Sequence, residues 1–297
     1  MIDQIPTVNR ATAADPSIRR ILIALDATAE SFAALDAAAD LAECLQAELL
    51  GLFVEDINLV NLAALPIARE IDLAGGGIGK IDRHTVERQF RMQQQKAQSA
   101  LAKAAESRRV TWSFRVTRGQ VAAELLKAAP DVDLVTLGKG GFPLTRRSRL
   151  GSTALTVAGE SHHTYIVSGG GVIRKSSAPI SVAYDGSACA KKALGIAVGI
   201  SGARGAVLKV FLMADADSDG DRLKGEVAEI LEHQGAAKLP VTYTRLDASD
   251  EACLIRAIAA EAGGLLVAGG VCLALTQQPL RRLLEATTQP VLLVKGS

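Results

Sequence analysis

The same order of elements is written twice in this chain, and that repetition constrains the fold more than any single motif. Residues 20–25, Arg-Ile-Leu-Ile-Ala-Leu, form a short apolar run ending at Asp26, followed by an alanine-rich amphipathic stretch, 31–44, and a second apolar run, 48–54. Residues 178–184, Ala-Pro-Ile-Ser-Val-Ala-Tyr, end at Asp185 and are followed by stretches 187–201 and 207–213 of the same two kinds. Short unbroken apolar runs are buried on both faces, and a helix between two of them predicts a parallel βαβ unit. The first copy continues with a helix at 86–107, a strand at 111–116, a helix at 121–129, a strand at 133–137, a short helix at 152–160 and a strand at 164–168. The second repeats this with helices at 222–233, 251–262 and 279–287 and strands at 241–246, 264–268 and 290–295.

Each copy thus supplies five strands alternating with helices, which predicts an α/β protein of two tandem doubly wound domains, each with a five-stranded, mostly parallel sheet. The boundaries read as 18–169 and 179–297, joined by the Gly- and Ser-containing stretch 170–178, and 297 residues suit two ordinary domains. The copies differ in one region. The first carries an insertion, 55–85, that includes Leu65-Pro66 and the glycines 75–77, which read as mobile. Leu59, Val60, Leu62, Leu65 and Ile67 make its first part apolar enough for a lid or a partner-facing surface, or for a short helix packed on its own domain.

Composition narrows the function classes. The 33 basic residues are balanced by 32 acidic ones, so no global charge favours nucleic acid or an anionic membrane. No apolar run approaches the roughly 20 residues that span a bilayer, and residues 1–20 are polar, without the apolar core of a signal peptide, so a cytoplasmic location is expected. Cys44, Cys189, Cys253 and Cys272 show no metal-binding or redox spacing and sit among Ala, Leu and Val, which reads as buried free thiols. His162-His163 is adjacent rather than one helical turn apart and reads as a surface pair, not a metal site.

Chemistry concentrates after the strand at 133–137. The following segment, Gly138-Lys-Gly-Gly141-Phe-Pro-Leu-Thr-Arg-Arg-Ser-Arg149-Leu-Gly151-Ser152-Thr153, spaces three glycines ahead of a hydroxyl pair. Glycine lets backbone N–H groups approach an anion closely, and Ser152 or Thr153 would cap the next helix, whose N-terminus adds partial positive charge. Lys139, Arg146, Arg147 and Arg149 supply cations for phosphate oxygens. The pattern is not a P-loop, and taken bare it also describes a tight turn before a capped helix. In a doubly wound sheet, Asp26 and Gly138 fall on the same carboxyl edge of the first sheet, where ligands bind. Asp26 would then accept hydrogen bonds from a ribose or an adenine amino group, interact with a bound cation, or simply cap its helix.

The second copy keeps Asp185-Gly186-Ser187 but not the later pattern. Aligning Gly269 with Gly138 sets Cys272 opposite Gly141 and Arg282 opposite Gly151; a gap adjusted to the short helix sets Glu285 there instead. Side chains at those positions would block phosphate, so the second copy is expected to bind nucleotide poorly or not at all.

Taken together, the tandem units and the spacing Gly138, Gly141, Gly151, Ser152 resemble the universal stress protein superfamily in its double-domain form. The resemblance implies an adenine nucleotide α hydrolase-like, Rossmann-like fold packed as a pseudo-dimer, with pairing through the final strands 164–168 and 290–295. It implies ATP, with Mg²⁺, as the ligand. It also implies a binding set of Asp26, Ala27, Thr28, Val54, Gly138, Lys139, Gly141, Arg149, Gly151, Ser152 and Thr153, with Val54 facing the adenine through its backbone. No catalytic or resident metal residue is implied. One departure is Asp26-Ala27-Thr28 in place of the usual Asp-Gly-Ser. Three functions follow from this reading. The first is an ATP-binding stress-response sensor, as a pseudo-dimer or homodimer. The second is a slow ATPase or autophosphorylating enzyme using Ser148 or Ser152, although no residue stands out as a base. The third is a nucleotide-free scaffold.

Overall fold

The computed structural model describes residues 18–65, 69–71, 78–80, 83–139, 152–160, 163–168, 178–248, 250–261, 263–269, 277–287 and 289–295. β1 (Arg20–Leu25) leads through α1 (Ala29–Leu45) to β2 (Glu48–Asp56). The insertion holds α2 (Ile57–Ala63), β3 (Arg69–Ile71) and β4 (Ile78–Lys80). Then follow α3 (Arg83–Ser107), β5 (Trp112–Gly119), α4 (Val121–Ala128), β6 (Leu134–Lys139), α5 (Ser152–Glu160) and β7 (His163–Ser168). The second half runs β8 (Ile180–Tyr184), α6 (Ala188–Arg204), β9 (Leu208–Met213), α7 (Asp217–His233) and β10 (Val241–Leu246). It closes with α8 (Glu251–Ala260), β11 (Leu265–Ala268), α9 (Gln277–Ala286) and β12 (Val291–Val294).

All but the short β3–β4 hairpin join one sheet, in the order β10-β9-β8-β11-β12-β7-β6-β1-β2-β5. Within that large sheet the described pairings inside each half are all parallel, and β12 pairs with β7 antiparallel, with Val291 opposite Ile166 and Leu292 opposite Tyr165. The expected use of the final strands to join two halves is therefore what the fold does.

The strand sequences explain why both faces are covered. Ile21, Ile23 and Leu25 of β1 enter one apolar core with Ile180, Val182 and Tyr184 of β8 and Leu292 and Val294 of β12. Leu22 turns the other way, into a second core with Ala183, Val291 and Leu293. Alternation across a pleat buried on both sides thus gives two cores, and each runs without a break through both halves. α1 and α6 meet on one face, and α5 and α9 on the other.

Capping fixes the helix ends. Thr28 caps α1 by accepting from the Ser31 N–H at 3.2 Å, and Ser187 does the same for α6 from Ala190 at 3.2 Å. Both helices stop at a left-handed residue, Gln46 and Gly205.

Several expectations change. β5 runs to Gly119 rather than 116, because β2 extends past β1 and pairs Val54 with Thr117 and Glu55 with Arg118, where the Arg118 guanidinium meets the Glu55 carboxylate at 2.6 Å. α2 is a helix packed on α3 that buries Val60 and Ala63, while Leu59, Leu62 and Leu65 remain about half exposed. Cys44, Cys189 and Cys253 are free thiols, as read, but half-buried rather than buried. Among the described residues no helix is long and apolar enough to cross a membrane. The linker 170–178 up to 177, the glycines 75–77, Arg146, Arg147, His162 and Cys272 lie outside the described residues.

Candidate functional site

The strand order reverses between β1 and β6: from β1 the chain crosses first to β2 on one side and later to β6 on the other. α1 leaves the end of β1 toward one face, and α5 leaves the end of β6 toward the opposite one. A crevice opens between them, as at the switch point of any doubly wound sheet. It holds a cavity of about 410 Å³.

Four stretches, distant in sequence, build its walls. Leu25, Asp26, Thr28, Glu30 and Ser31 come from the β1–α1 junction, Leu52 and Val54 from the end of β2, and Leu137, Gly138, Thr153 and Ala154 from β6 and the first turn of α5. Val121 and Leu125 of α4 close one side. Leu52 and Val54 are two apart on a strand, and Val121 and Leu125 are four apart on a helix, so each pair presents one face. Aliphatic side chains thus make up much of the lining, beside the carboxylates of Asp26 and Glu30 and the hydroxyls of Thr28, Ser31 and Thr153.

The polar groups already have assignments. Asp26 Oδ1 accepts from the Thr28 N–H at 3.0 Å and from the Thr28 hydroxyl at 2.6 Å, while Oδ2 makes no hydrogen bond among the described residues. Thr28 Oγ1 is thereby committed twice, donating to Asp26 and accepting from Ser31. The Ser31 hydroxyl, 5% exposed, donates to the Thr28 carbonyl at 3.0 Å.

Gly138 has a structural task beside any ligand. A Cβ there would stand 3.0 Å from the Glu30 carbonyl oxygen and 3.4 Å from the Ser31 nitrogen, so its absence lets β6 close against the first turn of α1. Gly269 does the same in the second half, where a Cβ would meet the Cys189 carbonyl oxygen at 2.6 Å. The first glycine of the motif is thus a packing requirement of both halves.

Of the sequence-predicted residues, Asp26, Thr28, Val54, Gly138 and Thr153 line the cavity. Ala27 does not; it supplies the turn. Lys139 ends β6 and Ser152 begins α5, both described by backbone alone, and Gly141, Arg149 and Gly151 lie outside the described residues. Glu30, Ser31, Leu52, Val121, Leu125 and Leu137 were missed. For Leu52, Val121 and Leu125 the signal was the two-residue and four-residue spacing of apolar side chains at element ends, legible only once the strand order is known; Glu30 and Ser31, in the first turn of α1, carry no such spacing.

In the second half, the expectation that Glu285 or Arg282 stands in the place of Gly151 is corrected. Both lie within α9, and Glu285, in its last turn, accepts from the Arg281 guanidinium at 2.9 Å. The difference is loop length: residues 139–151 separate Gly138 from α5, whereas only 270–276 separate Gly269 from α9. At the end of β8 the buried Tyr184 hydroxyl donates to Glu226 at 3.1 Å, and burial together with that bond pushes its pKa up.

Ala27 shows a local cost. Its φ is 62°, in the left-handed region, and the matching residue of the second half is Gly186 with φ 80°. A Cβ in that region costs about 1–2 kcal/mol, offset in part by the greater freedom of glycine in the unfolded chain. Ala27→Gly is expected to stabilise the protein by about 0.5–1 kcal/mol. The check is a higher urea midpoint at unchanged slope; a lower midpoint would show that the strain at Ala27 is smaller than the entropy glycine adds to the unfolded chain.

The fold defines a tandem, doubly wound, Rossmann-like α/β protein whose halves are joined through β7 and β12. The family model described as "Universal stress protein family" matches residues 17–168, and the chain belongs to that family. Solved structures agree in fold. A universal stress protein from Archaeoglobus fulgidus DSM 4304 is similar at 18% identity and a TM-score of 0.68, over 93% of this chain and 98% of that one. One from Pseudomonas aeruginosa UCBPP-PA14, titled a putative member, is similar at 15% identity and TM-score 0.55, over 94% of each chain. The cytoplasmic domain of a prokaryotic cation chloride cotransporter is similar at 10% identity and TM-score 0.56, over 93% of this chain and 94% of that one. The same architecture therefore serves unlike proteins, and function has to be argued from the site. No curated protein matches the chain at a significant level.

Proposed function

We propose that this protein is an ATP-binding regulator of the stress response, with one nucleotide site in its first half. The reading rests on the cavity at the switch point, where Asp26, Val54, Gly138 and Thr153 converge from three separate stretches of sequence. In this reading Leu52, Val54, Val121, Leu125 and Leu137 hold the base away from water, and Asp26 Oδ2 accepts a ribose hydroxyl. The N-terminus of α5, with Ser152 and Thr153, receives the phosphates on its free N–H groups, assisted by Lys139 and Arg149. Ala27 contributes the turn that orients Asp26, and Gly141 and Gly151 belong to the phosphate loop on the strength of their spacing.

Mg²⁺ would arrive with the nucleotide. Among the described residues no group of three or more His, Cys, Asp or Glu side chains is arranged to hold a metal ion. The ion keeps waters and binds phosphate oxygens in such sites, and it would supply charge neutralisation. Binding, rather than turnover, is the function proposed.

The test is isothermal titration of protein stripped of co-purified nucleotide with ATP and Mg²⁺, alongside assay of phosphate release. One ATP per chain, without release, is the expected result. No heat of binding would remove the nucleotide and leave the scaffold reading; sustained release would favour the slow ATPase.

A further inference from the structure

The helix that begins at the proposed phosphate loop ends against the other half of the protein. Thr153 and Ala154, in the first turn of α5, line the cavity. Val157 and Ala158, fully buried, share one continuous core with Leu283 and Leu284 of α9, and the two helices are in direct contact. At its far end α5 closes with Glu160, and three residues later begins β7, the strand that pairs with β12 of the other half. α5 is therefore a rod of roughly 13 Å with one end in the ligand cavity and the other at the seam between halves.

α9 holds in the second half the place that α5 holds in the first: each follows the fourth strand of its five-stranded unit and precedes the fifth. The helix that would feel the phosphates and its counterpart thus touch one another across the pseudo-twofold. We infer that α5 is a lever that carries nucleotide occupancy of the first half into α9, so that the second half reads the ligand bound by the first. The inference rests on the nucleotide reading above.

Phosphate at a helix N-terminus attracts its free N–H groups and the positive end of its dipole, which draws the helix along its own axis. A helix is stiff, and a core packed at crystal density passes a displacement to its neighbours rather than absorbing it. Coupling of this kind is reciprocal, so a change at the seam must return to the site as a change in affinity.

Hydrogen–deuterium exchange of the full chain, with and without ATP and Mg²⁺ and with binding followed by titration on the same sample, tests it. Amides of residues 277–287 should exchange about threefold more slowly in the ATP-bound protein, and Lys295→Gln, at the seam, should alter ATP affinity about threefold or more. ATP bound with protection confined to the first half, and an unchanged affinity in the folded Lys295→Gln protein, would overturn the lever and leave the nucleotide site standing. Absence of ATP binding would overturn both, and the titration tells the two failures apart.

Discussion

Replacing Gly151 with Glu is expected to weaken ATP binding at least about a hundredfold while leaving the fold intact, because juxtaposed like charges cost several kcal/mol. Gly151 immediately precedes α5, whose first turn lines the cavity. A carboxylate there interacts favourably with the positive end of the helix, so the helix itself should not suffer. The same carboxylate competes for the N–H groups that the phosphates would use and repels them. The variant thus separates stability from binding, which Gly138→Val would not: a side chain at 138 runs into the Glu30 carbonyl oxygen. Titration with ATP and a thermal melt of the free protein are the two measurements. Undiminished affinity at an unchanged melting temperature would mean that the phosphates do not approach the N-terminus of α5, and the site would have to be redrawn.

The architecture was legible because a buried parallel strand leaves a blunt trace. Runs such as Ile21-Leu-Ile and Val291-Leu-Leu-Val294 have no polar alternation, and their order repeats. The seam between the halves followed from the resemblance rather than from such a run, since nothing in Thr164–Ser168 alone says which neighbour the strand will take. The β3–β4 hairpin left no trace, being two three-residue strands that pair only with one another. The extension of β5 to Gly119 was also hidden, because it depends on how far β2 outruns β1. At the site, the Asp26 turn and Gly138 could be found from their type and position. Their division of labour could not: whether Gly138 serves a ligand or a helix depends on the 3.0 Å separation from the Glu30 carbonyl, a property of two elements more than 100 residues apart. Glu285 shows the converse error. A gap adjusted to the short helix set it opposite Gly151, the residue just before α5, whereas the shorter loop of the second half puts it in the last turn of α9.

Leu292→Ala is expected to destabilise the whole molecule, not just the half that contains it. Leu292 is fully buried in β12, paired opposite Tyr165, and belongs to the core that also holds Ile21, Ile23, Leu41 and Leu134 of the first half. Truncating a leucine in such a place costs about 2–5 kcal/mol, from lost burial and from the cavity left behind. If the cores are shared as the packing indicates, that cost falls on a single cooperative transition. The chain carries its own reporter: its one tryptophan, Trp112, lies on β5, at the far edge of the first half. Four strands, β7, β6, β1 and β2, separate β12 from β5, so Trp112 makes no strand contact with the altered position. The urea midpoint read by Trp112 fluorescence should nevertheless fall together with that read by circular dichroism. A Trp112 midpoint that stayed at its wild-type value while circular dichroism lost part of its amplitude early would mean that the halves fold independently. In that case the continuous cores would be two domains merely in contact, and a lever running from α5 into α9 would have little to push against.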